Sequence, residues 1–496
     1  MKDSMNSNKQ PRPVRVLQFG QGNFLRAFCD TFIDIANTSG VYDGSIVIAQ
    51  SVGQKNPAYD AQNCCYTTLI RGKENGETVE LTRVITSVHE VLHTSDDYDA
   101  FMAYASHPTL ECVISNTTEA GIIFDDSDTF DMTPPASYPA KLTKFLYARY
   151  HAFAADEKYG LVIFPTELIE NNGGVLRDCV LRYAALWSLG EDFTAWLDRA
   201  CMFCSTLVDR IVTGHPKQPA ESERLARQLG YTDALLTVAE PFGLWVIEAA
   251  DPERARAVMP LDRAGLPVIF TTDLTPYRER KVRILNSAHT SFVPAAFLSG
   301  EEIVRDCMMH PIIRPFIDTC VYHEIIPTLE SKLEKKDLLI FADAVCERFE
   351  NPFIDHALLS ICLNSVSKWK ARVLPSVLDS VNMGKMPHCL VFSFASLCHF
   401  YASGRMTDDG FVGTRVVNGE TVPYTISDSK AVLEFFVQHA HDADILPRFA
   451  ANADFWGTDL TSIRGFSALA QKYYDAITDR GMLAAMEDAI TTSRGL

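Results

Sequence analysis

The first half of the chain alternates short apolar runs with stretches whose apolar residues recur at helical spacing. Val14–Phe19 (VRVLQF) is a β-branched apolar run that meets glycine at once, and an apolar-periodic helix follows over 24–35. Residues 45–51, 111–116 and 160–165 are further runs, apolar on both strand faces. Between them lie a hairpin over 66–88, turned at Glu74-Asn75-Gly76, a helix over 95–106 with Ser95 as N-cap, and a helix entered at Pro139. Strands apolar on both faces and separated by helices predict a parallel sheet covered on both sides.

After residue 272 the texture changes. Helical spacing recurs over 282–297, 312–329, 338–349, 357–373, 389–401, 430–439 and 466–476, and only 410–426 reads as a hairpin, turned at Asn418-Gly419. The expected organisation is an α/β domain over 1–272, Rossmann-type with a parallel sheet, followed by a mostly α-helical domain over 273–496.

Composition narrows the function classes. The 496 residues carry 63 acidic and 45 basic side chains, a formal charge of −18, which disfavours a nucleic-acid partner. Residues 1–15 are polar and proline-broken, so no export leader is expected. The uncharged run 386–404 contains proline, histidines and serines and suits a helix buried in protein better than a membrane span. Thirteen scattered cysteines read as reduced thiols of a cytoplasmic protein. Cys201 and Cys204 lack a second pair, and His323-Glu324 lacks the downstream histidine of a zinc helix, so no metal is expected.

Two segments carry chemistry. Gly20-Gln21-Gly22-Asn23-Phe24-Leu25-Arg26 lies between the first strand and the first helix, the context of a dinucleotide loop. Gly20 allows the tight turn, Gly22 lets a pyrophosphate approach, and Arg26 offers a phosphate contact; Leu25 replaces the third glycine. A ribose-binding acid is not evident. Asp43 has the spacing but precedes the second strand, which ends in neutral Gln50 and Ser51, leaving NAD and NADP both open. In the second segment, 275–294, Lys281, Asn286 and His289 are spaced five and three apart. On an α-helix 286 and 289 share a face, with 281 about one turn behind 285. A lysine whose pKa is lowered by burial and by Arg278, Arg280 and Arg283 can act as the base of a metal-free alcohol oxidation; a solvated basic helix start with a core histidine is the plain alternative.

Four motifs in order, the loop 20–27, TTEAG at 117–121, FCSTLVDRI at 203–211 and Lys281/Asn286/His289, resemble the polyol-specific long-chain dehydrogenases typified by mannitol dehydrogenase. Longer stretches such as 137–143, 276–290 and 323–327 are similar to a branch acting on sugar acids. The resemblance implies NAD, no catalytic metal and a small sugar-acid substrate. It implies that Phe19, Gly20, Gln21, Gly22, Asn23, Phe24 and Arg26, with Asn116, Thr117, Thr118 and Glu119, hold the cofactor. Lys281 matches the general base, and Asn286 and His289 its partners on the reacting oxygen. Lys368 matches a substrate-side lysine; Arg372 one turn on and Asn172 complete the expected substrate set. Leu168 stands where mannitol dehydrogenases carry an asparagine, and Ser360 where they carry an arginine, which points away from a polyol. A plain polyol dehydrogenase, a sister sugar-acid reductase and a silent NAD-binding protein are the alternatives. Oligomeric state is not legible.

Overall fold

The structure is a computed structural model that describes residues 9–495 apart from Asp409, so the first eight residues of the leader reading lie outside it. The chain forms two units. One runs to Gly72 and from Thr78 to Leu274; the other comprises Lys73–Glu77 and the chain from Thr275 onward.

The first unit is built on a six-stranded sheet in the order Val88–His93, Ser45–Gln50, Val14–Phe19, Cys112–Ser115, Val162–Pro165 and Met202–Phe203. All neighbours are parallel. The strand Val14–Phe19 is central and almost wholly buried, as Val14, Val16, Leu17 and Phe19 on its two faces require. One face packs Phe28, Phe32 and Trp245; the other packs Phe101, Leu142, Phe145 and Trp196. This is the covered parallel sheet expected from the sequence. Tyr66–Glu74 and Glu77–Ile85 form the expected hairpin, and positive φ at both Asn75 (53°) and Gly76 (82°) supplies its turn. Strands at Thr237–Ala239, Leu244–Glu248 and Val268–Thr271 extend two smaller sheets that the apolar pattern did not reveal. The helix expected over 95–106 is shorter: it begins at Tyr98, and the Asp97 carboxylate accepts from the His93 N–H instead of capping it.

The second unit is largely helical around His388–Ala402, buried nearly all round. Against this helix pack Ser287–Leu298, Phe466–Arg480 and Met482–Arg494. Trp369 anchors the aromatic core, edge-on to Phe394 and Trp456, with its indole N–H on Ser393 Oγ at 2.9 Å. The uncharged run is therefore a core helix, and no helix among the described residues is long and apolar enough to cross a membrane. The expected hairpin forms from Gly410–Val417 and Glu420–Thr425, joined by an edge strand at Arg405–Thr407.

Two expected helices are broken. The stretch 357–373 divides into Leu358–Ile361 and Ser365–Arg372, because Asn364 adopts left-handed φ (53°), a state asparagine tolerates. The stretch 312–329 passes through a π-helical segment, Thr319–Ile325. There the Glu324 carboxylate is buried and accepts from the N–H groups of Cys389 and Leu390 at 2.8 and 2.9 Å. Glu324 thus caps the first turn of the central helix, and burial pushes its pKa up to about 7.

Candidate active site

At the C-terminal end of the central strand, Gly20 turns with φ of +115°, and a Cβ there would lie 2.8 Å from the Asn116 carbonyl. Only glycine fits. Gly22, in contrast, has ordinary φ, and a Cβ on it would meet nothing within 4 Å. The helix entered at Asn23 has no side-chain cap, so its first N–H groups are open to an anion. Gln21 Oε1 and Arg26 Nε are buried without a hydrogen-bond partner among the described residues. Open space, an uncapped helix start and the orphaned Arg26 donor together fit a bound pyrophosphate.

The helix runs on through a π-helical segment, Arg26–Asp30. Arg26 bonds Asn23 and lies 5.8 Å over the Tyr66 ring. Tyr66 in turn donates to Asp30 at 2.5 Å. Asp30 is buried, which raises its pKa to about 7 against the opposing pull of Tyr66, Gln18 and Arg26. Phe24 stacks on Phe28 at 5.0 Å, pinning the loop to one core, and Phe19 packs into the other core beside Tyr138.

The second expected cofactor segment sits beside this loop. The Asn116 N–H donates to the Phe19 carbonyl at 3.0 Å, and its amide donates to Thr166. Thr117 donates to Glu167 through both its N–H and its hydroxyl at 2.9 Å, Thr118 takes a positive φ of 71°, and Glu119 is exposed. The structure thus brings together 19–26 and 116–119. Glu167, buried and raised in pKa by that burial, is the organising acid that sequence reasoning missed. Its signal was its place two residues beyond the Val162–Pro165 strand, after Thr166, at the carboxyl edge where parallel sheets bind ligands.

Asp43 is committed elsewhere, paired with Arg12 at 2.6 Å. Asn172 also departs from expectation. It is fully buried in the first unit, donating to the carbonyls of Pro165, Glu167 and Thr206 and accepting from the Thr206 N–H. With every polar group held by backbone, Asn172 is a loop clamp and has none left for a substrate.

In the second unit, Lys281–Asn286 is π-helical and Ser287–Leu298 continues as α-helix. In an α-helix residues five apart diverge by about 140° at 100° each. The i→i+5 bonding of a π-helix stacks them instead, so Lys281 and Asn286 share a line, and Asn286 and His289 share the next turn. His289 is 8% exposed and stacked on Phe349 at 4.1 Å, and its Nε2 has no partner among the described residues. Burial drives its pKa well below the usual value, helped by His356, Arg348, Arg372 and Lys368, so the imidazole is neutral. It is a hydrogen-bonding group, not an acid.

Lys368 and Arg372 stand one turn apart on Ser365–Arg372. Lys368 Nζ donates to the Ile361 carbonyl at 2.8 Å and Arg372 to Thr290 Oγ1 at 3.4 Å. Burial lowers both pKa values, and Arg372 adds to the effect on Lys368. Arg283, expected to bias the lysine, is engaged elsewhere: its guanidinium bonds Ser376, Asp379 and Thr328 at 3.0, 2.7 and 2.6 Å. Leu168 is 64% exposed, and Ser360 bonds its own turn at Ala357. His356 and Arg348, which sequence reasoning did not single out, complete the surroundings of His289.

The arrangement offers a lysine, an amide and a neutral imidazole on one helical line, with two further cations nearby. That set can move a proton to or from an oxygen while donors hold it.

Known proteins bear on this geometry. The pattern of the mannitol dehydrogenase Rossmann domain matches residues 14–259, and that of the mannitol dehydrogenase C-terminal domain matches 273–421. Altronate oxidoreductase of Escherichia coli O7:K1 is 41% identical over 485 residues, covering 96% of each chain. Altronate oxidoreductase of Bacillus subtilis strain 168 is 41% identical over 482 residues, 96% of this chain and 95% of its own. Among solved structures, Pseudomonas fluorescens mannitol 2-dehydrogenase, in ternary complex with NAD and D-mannitol, is 22% identical. It has a TM-score of 0.64 and covers 97% of this chain and 95% of its own. A substrate-free D-sorbitol dehydrogenase, also 22% identical, has a TM-score of 0.76 over 96% of this chain and 95% of its own. These two show the fold; the near-full-length sequence identity shows the family. The chain belongs to the mannitol dehydrogenase family.

Proposed function

We propose that this protein is an NAD-dependent oxidoreductase interconverting D-tagaturonate and D-altronate in hexuronate breakdown. The observation that carries the chemistry is the shared line of Lys281, Asn286 and His289, with its orphaned imidazole nitrogen. The altronate oxidoreductases, 41% identical along almost their whole length, support the substrate. We assign cofactor binding to the first unit and substrate binding to the second.

The cofactor, when bound, supplies or accepts the hydride. Phe19, Gly20, Gln21, Gly22, Asn23, Phe24 and Arg26 would hold its pyrophosphate side, and Asn116, Thr117, Thr118 and Glu119 line the adjoining edge. In the reductive direction the Lys281 ammonium gives its proton to the oxygen of the carbon that receives hydride; in the oxidative direction the free amine takes the proton back. Asn286 and His289 hold that oxygen, and a neutral His289 can do so without competing for the proton. Lys368 and Arg372 supply positive charge for the substrate carboxylate. A charge of −18 does not forbid this, since bulk repulsion is screened over about 8 Å while these cations act at contact. A cytoplasmic location fits such a substrate and thirteen buried free thiols.

The test is NADH oxidation with D-tagaturonate, D-fructuronate and D-fructose in parallel. The proposal expects tagaturonate to give the highest kcat/KM. A higher value with fructuronate or fructose assigns the sister activity or a polyol dehydrogenase, and no turnover with any of them contradicts an enzymatic role.

A further inference from the structure

The strands Cys112–Ser115 and Val162–Pro165 run side by side with Ser115 opposite Pro165, and side chains continue their pairing past the strand ends. The Thr166 N–H and hydroxyl both donate to the Ser115 carbonyl, at 2.8 and 2.7 Å, and the Asn116 amide donates back to Thr166. One residue further, the buried Glu167 carboxylate closes across the gap. One of its oxygens accepts from the Thr117 N–H and hydroxyl, both at 2.9 Å, and the other from Ser115 Oγ at 3.0 Å. Glu167 is fixed in turn through its own carbonyl, which accepts from the Ile169 N–H and the Asn172 amide at 2.8 and 2.9 Å. With its N–H and hydroxyl both taken, Thr117 has no donor left for a ligand. The next residue, Thr118, is exposed and holds φ at 71°, a strained state for a β-branched side chain. The Gly121 N–H closes the turn on the Thr118 carbonyl at 3.0 Å, and a Cβ on Gly121 would lie 2.2 Å from Thr117 Oγ1. Threonine does not favour this conformation by itself; the grip on its neighbour enforces it.

We propose that Glu167 is a positioning residue for the nicotinamide half of the cofactor, gripping Thr117 so that the exposed Thr118–Glu119 edge keeps the left-handed turn that receives it. This rests on the cofactor assignment above and deepens it. Topology supplies the half. A dinucleotide lies across the point where strand order reverses, with its adenosine ribose at the end of the second strand. Here Val14–Phe19 has Ser45–Gln50 on one side and Cys112–Ser115 on the other. The 116–119 edge follows the latter strand and so lies on the side away from the adenosine. It also begins where the glycine loop begins, since the Asn116 carbonyl is the atom that a Cβ on Gly20 would strike. A strained turn persists only while its surroundings impose it. Without the grip Thr118 relaxes toward negative φ, and NADH affinity falls in proportion to the fraction of molecules still holding the competent turn. An adenosine diphosphate, seated on the glycine loop and the second strand, does not feel that change. Glu167 acts through its neighbour and transfers no proton in this role.

The experiment measures Kd for NADH and for ADP in parallel on wild type, Glu167→Ala, Thr117→Val and Glu167→Gln. Alanine removes the grip, valine removes the hydroxyl bond alone, and glutamine keeps an acceptor oxygen toward Thr117 and an amide toward Ser115 Oγ. NADH binding should weaken about tenfold in Glu167→Ala, about threefold in Thr117→Val and less than about twofold in Glu167→Gln, with ADP within about twofold of wild type throughout. Equal losses of NADH and ADP affinity, an unchanged NADH affinity in Glu167→Ala, or a glutamine variant as weak as the alanine one would overturn the assignment. Should Glu167→Ala melt well below wild type, Thr117→Val decides: a loss confined to NADH supports the grip, and equal losses or none overturn it. If wild type binds neither NADH nor ADP, the cofactor assignment fails; if it binds both and the variants match it, only the positioning role fails.

Discussion

The glycine loop of the first unit and the lysine helix of the second solve their tasks with different materials. The loop is made of backbone: a positive φ, a vacant Cβ position and an uncapped helix start. The lysine helix is made of side chains, drawn together by a π-helical segment and by partners from distant helices. A backbone site is written in consecutive residues, so a short motif announces it. A side-chain site depends on which helices meet, and spacing along one of them tells little.

The two loop glycines offer the sharpest way to break that contrast. Gly20→Ala should cause the largest damage, because the new Cβ meets the Asn116 carbonyl at 2.8 Å in a backbone state costing roughly 1–3 kcal/mol for non-glycine residues. A lowered melting temperature and an NADH affinity reduced more than a hundredfold are expected. Gly22→Ala should leave melting within about 0.5 kcal/mol of wild type, since nothing in the protein contacts that position, while NADH affinity falls about tenfold. If both variants melt and bind alike, the loop is a structural turn and the contrast collapses.

A smaller effect tests the polar support beneath the loop. Asp30 has a folded pKa of about 7, above its ordinary value of 3.8. Between those values the folded chain holds a proton that the unfolded chain lacks. The stability it contributes is therefore present at low pH and is lost as pH rises through 7. Asp30→Asn, neutral at every pH, should gain about 2.6 kcal/mol relative to wild type between pH 5 and pH 8. Denaturant melts at the two pH values measure it, and a pH-independent difference would place Asp30 outside this balance.

Much of this was legible in the chain. The run Val14–Phe19 followed by Gly20 and Gly22 predicts both a buried central strand and the loop at its end, and both are found. The apolar texture after residue 272 predicts helices, and Lys430–His439 appears with the expected bounds. What stayed hidden has physical causes. A π-helical turn is set by which backbone groups pair i→i+5, which residue spacing alone does not record, so the stacking of Lys281 on Asn286 could not be read from the sequence. Asn364 breaks a helix through its own φ, an event that hydrophobic pattern does not record. Glu167 and His356 act through neighbours about 50 and 70 residues away, at Thr117 and His289. Asn172 shows the reverse error: a polar residue in a suggestive segment whose groups are all claimed by backbone.

The division of labour is tested most directly by Lys281→Met, with NADH affinity and tagaturonate turnover measured on the same preparation. The account predicts NADH binding within about threefold of wild type, because the loop is untouched, and turnover reduced at least about a thousandfold, because the proton donor is gone. Turnover within tenfold of wild type would contradict it.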